Sequence, residues 1–285
     1  FTVEPNQGRR TVKERWEESM KFALHAGTVR HTNLAIDIGT ARRAGFEGVE
    51  LFLPKVARYL DAGFDAADLR QMLGPLDVPM IDFLMPIESL DPDVRARVDG
   101  ECERMAQVAQ VIGCQAIQVV ALNEFSSSSW TDQKAVLVSR LRELSEIAAP
   151  YGVRLAIEGA IFSPFRQLAQ ALEVIEVVGV DRVGLCLDTW HLWLGGTPWE
   201  QVAELDPTSI LSVQLADTAA RSGPDWQDED RTALPGDGVL PLGDAIDAVL
   251  ATGYTGYWTY EMVSARHQEW DPGDFAKAML EQMRA

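Results

Sequence analysis

The feature that most constrains the fold of this 285-residue chain is a rhythm. Eight short apolar runs rich in Val, Ile and Leu alternate with longer stretches of helical period. The runs fall at 21–26 (KFALHA), 48–53 (GVELFL), 78–84 (VPMIDFL), 115–121 (QAIQVVA), 153–158 (VRLAIE), 183–188 (VGLCLD), 210–216 (ILSVQLA) and 256–261 (GYWTYE). Between them, segments such as Leu34–Ala44, Val94–Ile112, Gln133–Ala149, Phe165–Val178 and Leu242–Ala251 have the amphipathic spacing of helices with one buried face. Gly45, Gly113, Gly152, Gly179 and Gly253 stand where a left-handed residue ends a helix before the chain re-enters the sheet.

Near-continuous apolar strands separated by helices mean a parallel sheet covered by helices. Eight such units favour closure into a (β/α)8 barrel over an open doubly wound sheet. The absence of a GxGxxG or GxxxxGKS/T run after an early strand removes the commonest reason to prefer the open, nucleotide-binding alternative. Barrels of this kind run to about 250 residues or more as one unit. The chain therefore reads as an α/β protein, a single (β/α)8 barrel over 19–285 with a short polar N-terminal arm at 1–18. The irregular stretch 218–241 is too long for an ordinary strand-to-helix connection and marks a candidate active-site loop.

Charge narrows the partners. With 25 Lys+Arg against 43 Asp+Glu the formal charge is −18, which argues against sequence-independent binding to nucleic-acid phosphates. No apolar run approaches the roughly 18 residues of a membrane span, and no signal-peptide core is present, so the expected address is the cytoplasm. Cys102, Cys114 and Cys186 lack metal-ligand spacing and read as buried thiols of a reducing compartment. A chain that opens on Phe1 rather than Met is expected to lack its leading residues.

In a barrel, reactive groups gather at the C-terminal ends of the strands. In the second half of the chain those ends carry Glu158, Asp188, Gln214 and Glu261, each a polar side chain in an apolar run. Any one of them alone reads as a satisfied core polar group. Four on successive strands converge on one side of the mouth, where three carboxylates would repel unless a cation or shared protons hold them. An all-oxygen set of Glu, Asp, Gln and Glu suits one octahedral divalent ion, Mg2+, Mn2+ or Co2+, better than zinc.

These residues carry a resemblance. The strand-5 Glu158, the run Asp188-Thr189-Trp190-His191, the run Gln214-Leu215-Ala216-Asp217, the segment Leu234-Pro235-Gly236-Asp237-Gly238 and the strand-8 Glu261 are similar to the xylose isomerase-like TIM barrel superfamily of sugar isomerases, epimerases and keto-polyol dehydratases. The resemblance spans about residues 20–285 and is most specific over 153–261. It implies that Glu158, Asp188, Gln214 and Glu261 hold one divalent metal. It further implies that Glu158 and Glu261 flank the substrate carbon as acid and base, and that His191 reaches the substrate oxygens. Ketose epimerases of the family usually have His where this chain has Gln214. Gln at that place resembles the dehydratase branch that acts on 3-dehydroshikimate and inososes.

The chemistry implied is removal of a proton α to the carbonyl of a keto-sugar or keto-cyclitol. Elimination by a dehydratase or lyase ranks first, on Gln214 alone. Isomerisation or epimerisation on the same metal site is the alternative, and a C-glycoside lyase, which implies a small accessory subunit, also fits the barrel. A homo-oligomer is compatible with all of these. Further substrate-contact candidates are His25, Glu50, Asn123 with Glu124, Trp190 and the loop arginines Arg221, Arg231 and Arg266. For each of them a core or surface role competes. Trp190, Trp193, Trp226, Trp258 and Trp270 read either as pocket lining or as packing under the long loop, and Ser126–Ser129 as a lid or a plain loop. A trinuclear-zinc endonuclease is excluded because only His25, His31, His191 and His267 are available beside the acidic balance. A non-catalytic barrel subunit remains as the reading of another class.

Overall fold

The computed structural model describes residues 20–122, 124, 129–220 and 225–285. Eight parallel strands close on themselves in sequence order. They are β1 (Lys21–His25), β2 (Gly48–Phe52), β3 (Ile81–Leu84), β4 (Ala116–Val120), β5 (Arg154–Glu158), β6 (Val183–Asp188), β7 (Ile210–Leu215) and β8 (Tyr257–Tyr260). The ring closes where Lys21 and Phe22 of β1 pair with Tyr257 and Trp258 of β8. All eight expected runs contain a strand, and the (β/α)8 barrel is the observed architecture. The expected arm at 1–18 lies outside the described residues.

The outer helices are α1 (Leu34–Ala44), α2 (Leu53–Asp61), α3 (Ala66–Leu73), α4 (Pro92–Ile112), α5 (Trp130–Ala148), α6 (Leu168–Val178), α7 (Thr189–Leu194), α8 (Trp199–Ala203), α9 (Leu242–Ala251), α10 (Ala265–Gln268) and α11 (Pro272–Met283). Asn33 caps α1 by accepting from Ile36 N–H at 3.0 Å, and Asp91 caps α4 from Asp93 N–H at 2.8 Å. The five glycines expected to end helices all have positive φ, 92° at Gly45 and 84° at Gly113 among them, a conformation that costs other residues strain. Helices α2, α3, α7, α8, α10 and α11 were not singled out by periodicity. Five of them are nine residues or shorter, a window in which helix and loop patterns overlap.

The barrel interior changes character along its axis. Met80, Ala116, Ala156 and Cys186 pack together as one apolar cluster. Side chains two residues apart on a strand share a face. The same inward face therefore presents, two positions on, Asp82, Gln118, Glu158 and Asp188, all buried. An apolar floor thus supports a polar upper layer. Cys102, Cys114 and Cys186 are free and buried, and burial pushes the thiols of Cys102 and Cys114 up to about 12. Among the described residues no helix is long and apolar enough to cross a membrane.

Candidate active site

Asp188 ends β6 and caps α7. Its Oδ1 accepts from Trp190 N–H at 2.7 Å and His191 N–H at 3.0 Å, which fixes the carboxylate and leaves Oδ2 facing the mouth. The Asp-Thr-Trp-His run is thus a strand end, a helix cap and an inward-turned imidazole in four residues. Nδ1 of His191 accepts from Ile161 N–H at 3.3 Å, so a neutral ring carries its proton on Nε2. That Nε2 lies 3.9 Å from Glu158 Oε1. Burial and the nearby Arg231 charge hold His191 well below the ordinary histidine range, and the ring is neutral. Its contribution at the mouth is a donor.

Glu158 ends β5, and its Oε2 accepts from Gln118 Nε2 at 2.9 Å. Its Oε1 is buried with no hydrogen-bond partner. Burial first, then the charges of Asp188 and Glu261, push its carboxyl well above the ordinary range, against the opposing pull of Arg231. Ligand atoms of Glu158, Asp188 and His191 all lie within 4.8 Å of one another. The orphaned Oε1, the inward Oδ2 and the adjacent Glu261 carboxylate form an oxygen donor set that fits a hard divalent ion.

Arg231 occupies the centre of that set. Its Nη1 donates to Asp188 Oδ2 at 2.8 Å and to Glu261 Oε2 at 2.5 Å. Asp228, three residues earlier, grips the same guanidinium at Nε (3.0 Å) and at Nη2. The guanidinium also lies over Trp190, with Cζ 5.1 Å from the ring centroid. The flanking acids raise its pKa further, although burial opposes this.

The loop that delivers Arg231 is fastened by Asp217, the last residue of the QLAD run. Its Oδ2 accepts from Gly238 N–H at 2.9 Å and its Oδ1 from Leu240 N–H at 3.0 Å. Gly238 cannot be larger, because a Cβ there would stand 2.1 Å from Asp217 Oδ1 and 2.5 Å from Thr218 O. This close approach explains the pairing of QLAD with PGDG across the loop.

Gln214 sits one step deeper. Its Nε2 donates to Glu50 Oε1 at 2.6 Å and lies 3.4 Å from Gln118 Oε1 and 3.3 Å from His25 Nε2. The structure therefore gathers Glu158, Asp188, Glu261, His191 and Arg231 at the mouth, and Gln214, His25 and Glu50 in the layer below. Trp190 is fully buried beneath Arg231, Trp258 is fully buried in β8, and Trp270 and Arg266 face solvent. Asn123, Arg221 and Ser126–Ser128 lie outside the described residues, while Ser129 caps α5. Asp82, Gln118 and Asp228 were missed. Asp82 and Gln118 are polar residues inside an apolar run and lack the strand-end position that marked Glu158.

Above these groups lies a cavity of about 220 Å3, lined by Gln118, Glu158, His191, Arg231 and Glu261 with Phe83 and Phe162 on its apolar side. It is small against the roughly 300–1,000 Å3 of drug-sized sites and suits a single sugar or cyclitol ring.

The family model described as xylose isomerase-like TIM barrel matches residues 38–285. The chain belongs to this family. Inosose isomerases of Halalkalibacterium halodurans and Bacillus subtilis are each 27% identical to it, over 83% and 85% of this chain and 85% and 89% of theirs. A 3-dehydroshikimate dehydratase of Pseudomonas putida is 26% identical over 77% of this chain and 34% of its own length. The crystal structure of the IolI protein with a binding zinc atom superposes with a TM-score of 0.85 at 23% identity, covering 92% of this chain and 96% of that one. The barrel and its family are as the strand-end residues imply, and the chain is an enzyme of that family.

Proposed function

We propose that this enzyme removes a proton α to the carbonyl of a keto-cyclitol, an inosose-like ring, and returns it to the neighbouring carbon. Glu158, Asp188 and Glu261 would hold the divalent ion through carboxylate oxygens. When bound, that ion supplies Lewis-acid polarisation of the carbonyl and stabilises the charge left by proton loss. The observation that carries the reading is the convergence of Glu158 and Glu261 on one small cavity that also holds His191.

Each residue has a part. Glu158 and Glu261 are the groups able to take and return a carbon-bound proton, one on either side of the ring. His191, neutral and protonated at Nε2, donates to a substrate oxygen. Arg231 presents its guanidinium to the ring hydroxyls once released from Asp188 and Glu261. Phe83 and Phe162 exclude water from one face.

The inosose isomerases that match over most of both chains support isomerisation. Gln214, which favoured elimination from sequence, turns its amide to Glu50 and Gln118. Elimination stays as the second reading on a specific observation: the Nε2–H of a neutral His191 can donate a hydrogen bond to a departing hydroxyl, whose proton would come from a carboxyl group at the mouth. Inosose incubated with the enzyme in D2O separates the two by NMR. A deuterated isomeric ring is the expected result, and an unsaturated product would establish elimination instead. Full activity in both Glu158→Gln and Glu261→Gln, or activity unaffected by chelator, would overturn the assignment. Zinc, manganese, cobalt and magnesium restored singly to the stripped enzyme identify the ion, the zinc arm being suggested by the IolI structure.

A further inference from the structure

Beside the proposed catalytic centre the barrel holds a second cluster of side chains of metal-ligating type. His25 ends β1, Glu50 lies in β2 and Asp82 in β3, with exposures of 1%, 0% and 0%. His25 Nε2 stands 3.3 Å from Glu50 Oε1 and 3.2 Å from Asp82 Oδ2. All three ligand atoms lie within 4.8 Å of one another. The cluster is separate from the carboxylates of the mouth. Between them run the two amides, Gln118 bonded to Glu158 at 2.9 Å and Gln214 to Glu50 at 2.6 Å.

Hydrogen bonding does not account for this cluster. Neither oxygen of Asp82 has a hydrogen-bond partner, nor has Nδ1 of His25, although all are buried. Buried polar atoms are almost always paired, so three orphans in one place ask for a missing partner. The backbone of Gly27 packs closely against the His25 ring. A Cβ on Gly27 would stand 2.7 Å from His25 Cε1, 3.0 Å from His25 Nδ1 and 3.7 Å from Asp82 Oδ2. A single Nε2 proton also cannot serve two carboxylates at once.

We infer that His25, Glu50 and Asp82 hold a second divalent cation of zinc type inside the barrel. Tetrahedral zinc with bonds of about 2.0 Å sets its ligand atoms about 3.3 Å apart, close to the spacings from His25 to both carboxylates. A mixed nitrogen and carboxylate set selects zinc over magnesium or calcium. The fourth position falls to Gln214. Its Nε2 is 3.3 Å from His25 Nε2 and pressed on Glu50, and half a turn of the amide puts its carbonyl oxygen there. The ion ties β1, β2, β3 and β7 together. Through Gln214 and Gln118 it also sets the position of Glu158, so these residues act by positioning.

The test is metal stoichiometry of the full chain, stripped with chelator and equilibrated with Zn2+, then freed of excess. The proposal expects two equivalents in the wild type, one in Asp82→Asn and one in Glu158→Gln/Asp188→Asn. Gly27→Ala, which crowds the His25 ring, should also lose an equivalent. One equivalent in the wild type, kept in Asp82→Asn and Gly27→Ala, overturns it, as do two equivalents kept in those variants. One equivalent that survives Glu158→Gln/Asp188→Asn but disappears in Asp82→Asn upholds this site and removes the catalytic one.

Co2+ titration of the wild type covers the case in which the variants fail to fold. A four-coordinate, histidine-bearing cobalt ion absorbs strongly in the visible, whereas octahedral all-oxygen cobalt absorbs weakly. A strong band saturating at one equivalent beyond the weak one supports the site. Weak absorption alone at saturation sinks it.

Discussion

Arg231 Nη1 and Glu261 Oε2 stand 2.5 Å apart, with Asp188 Oδ2 on the same nitrogen at 2.8 Å. A loop-borne guanidinium thus neutralises the carboxylates proposed to bind metal, and a cation and Arg231 compete for the same oxygens. Removing the charge while keeping some bulk, as in Arg231→Met, leaves the buried carboxylates of Asp188 and Glu261 without this counter-charge. The metal-free variant should melt below the wild type, since breaking a buried pair typically costs about 3–5 kcal/mol. Its affinity for Mn2+ by calorimetry should rise by about tenfold or more, equivalent to ~1.4 kcal/mol. Turnover should nevertheless fall, because the donor to the substrate is gone. Unchanged or weaker metal binding in the variant would show that the guanidinium does not guard the site.

His191 separates two roles that sequence could not. Nδ1 accepts from Ile161 N–H, so a neutral ring bears hydrogen on Nε2, and in the proposed reaction it donates to the substrate rather than binding the metal. His191→Ala is expected to lower kcat by about 10²–10⁴-fold, the usual worth of a positioned proton donor. Metal content by mass spectrometry should stay at the wild-type level. Loss of the metal together with activity would make His191 a ligand and discard the donor role.

The tie between Asp217 and the far end of the loop predicts a different phenotype. Asp217→Ala frees the N–H groups of Gly238 and Leu240 and unfastens the segment that carries Arg231. Limited proteolysis should cut the variant within the loop several times faster than the wild type, and substrate KM should rise. The circular dichroism spectrum should be unaltered, because the eight strands do not depend on this loop. Equal cleavage rates would mean that other contacts hold the loop.

The barrel was legible because its strands are buried on both faces and therefore read as continuous apolar runs. The mouth was legible only where a polar residue ended such a run, as Glu158 and Asp188 do. Asp82 and Gln118 stand inside their runs, where a lone polar side chain reads as a satisfied core group. The curved sheet brings Asp82 beside His25 across β2, and the pairing of β4 with β5 brings Gln118 beside Glu158. Gln214 was expected among the metal oxygens from its strand end and the resemblance, whereas strand periodicity gives the face of a side chain but not the neighbours its amide meets, here Glu50 and Gln118. Arg231 and Arg266 were equivalent in sequence as loop cations. What separates them is the fastening of the loop by Asp217 and the stacking over Trp190.

The same barrel end contains a buried ion pair that is structural. Lys55 Nζ donates to Asp37 Oδ2 at 2.9 Å, to the carbonyls of Ala26 (3.0 Å) and Val29 (2.7 Å), and to Thr32 Oγ1 at 3.1 Å. One ammonium on α2 thereby fixes the β1–α1 loop, and Asp37 on α1 balances its charge. Burial drives the Asp37 carboxyl up and the Lys55 amine down, while each charge favours the other. Lys55→Met strands the Asp37 carboxylate and both carbonyls, at a cost of about 3–5 kcal/mol. For a domain of this size that corresponds to a fall in Tm of roughly 5–8 °C. Adding Asp37→Leu should recover part of the loss by removing the stranded charge, but not all of it. The carbonyls of Ala26 and Val29 still lack the donor that held them, and an unmet buried acceptor costs about 1–3 kcal/mol. Thermal unfolding of the single and double variants measures both steps. A single variant within about 1 kcal/mol of the wild type would mean that water replaces the ammonium and that the pair does not anchor the loop.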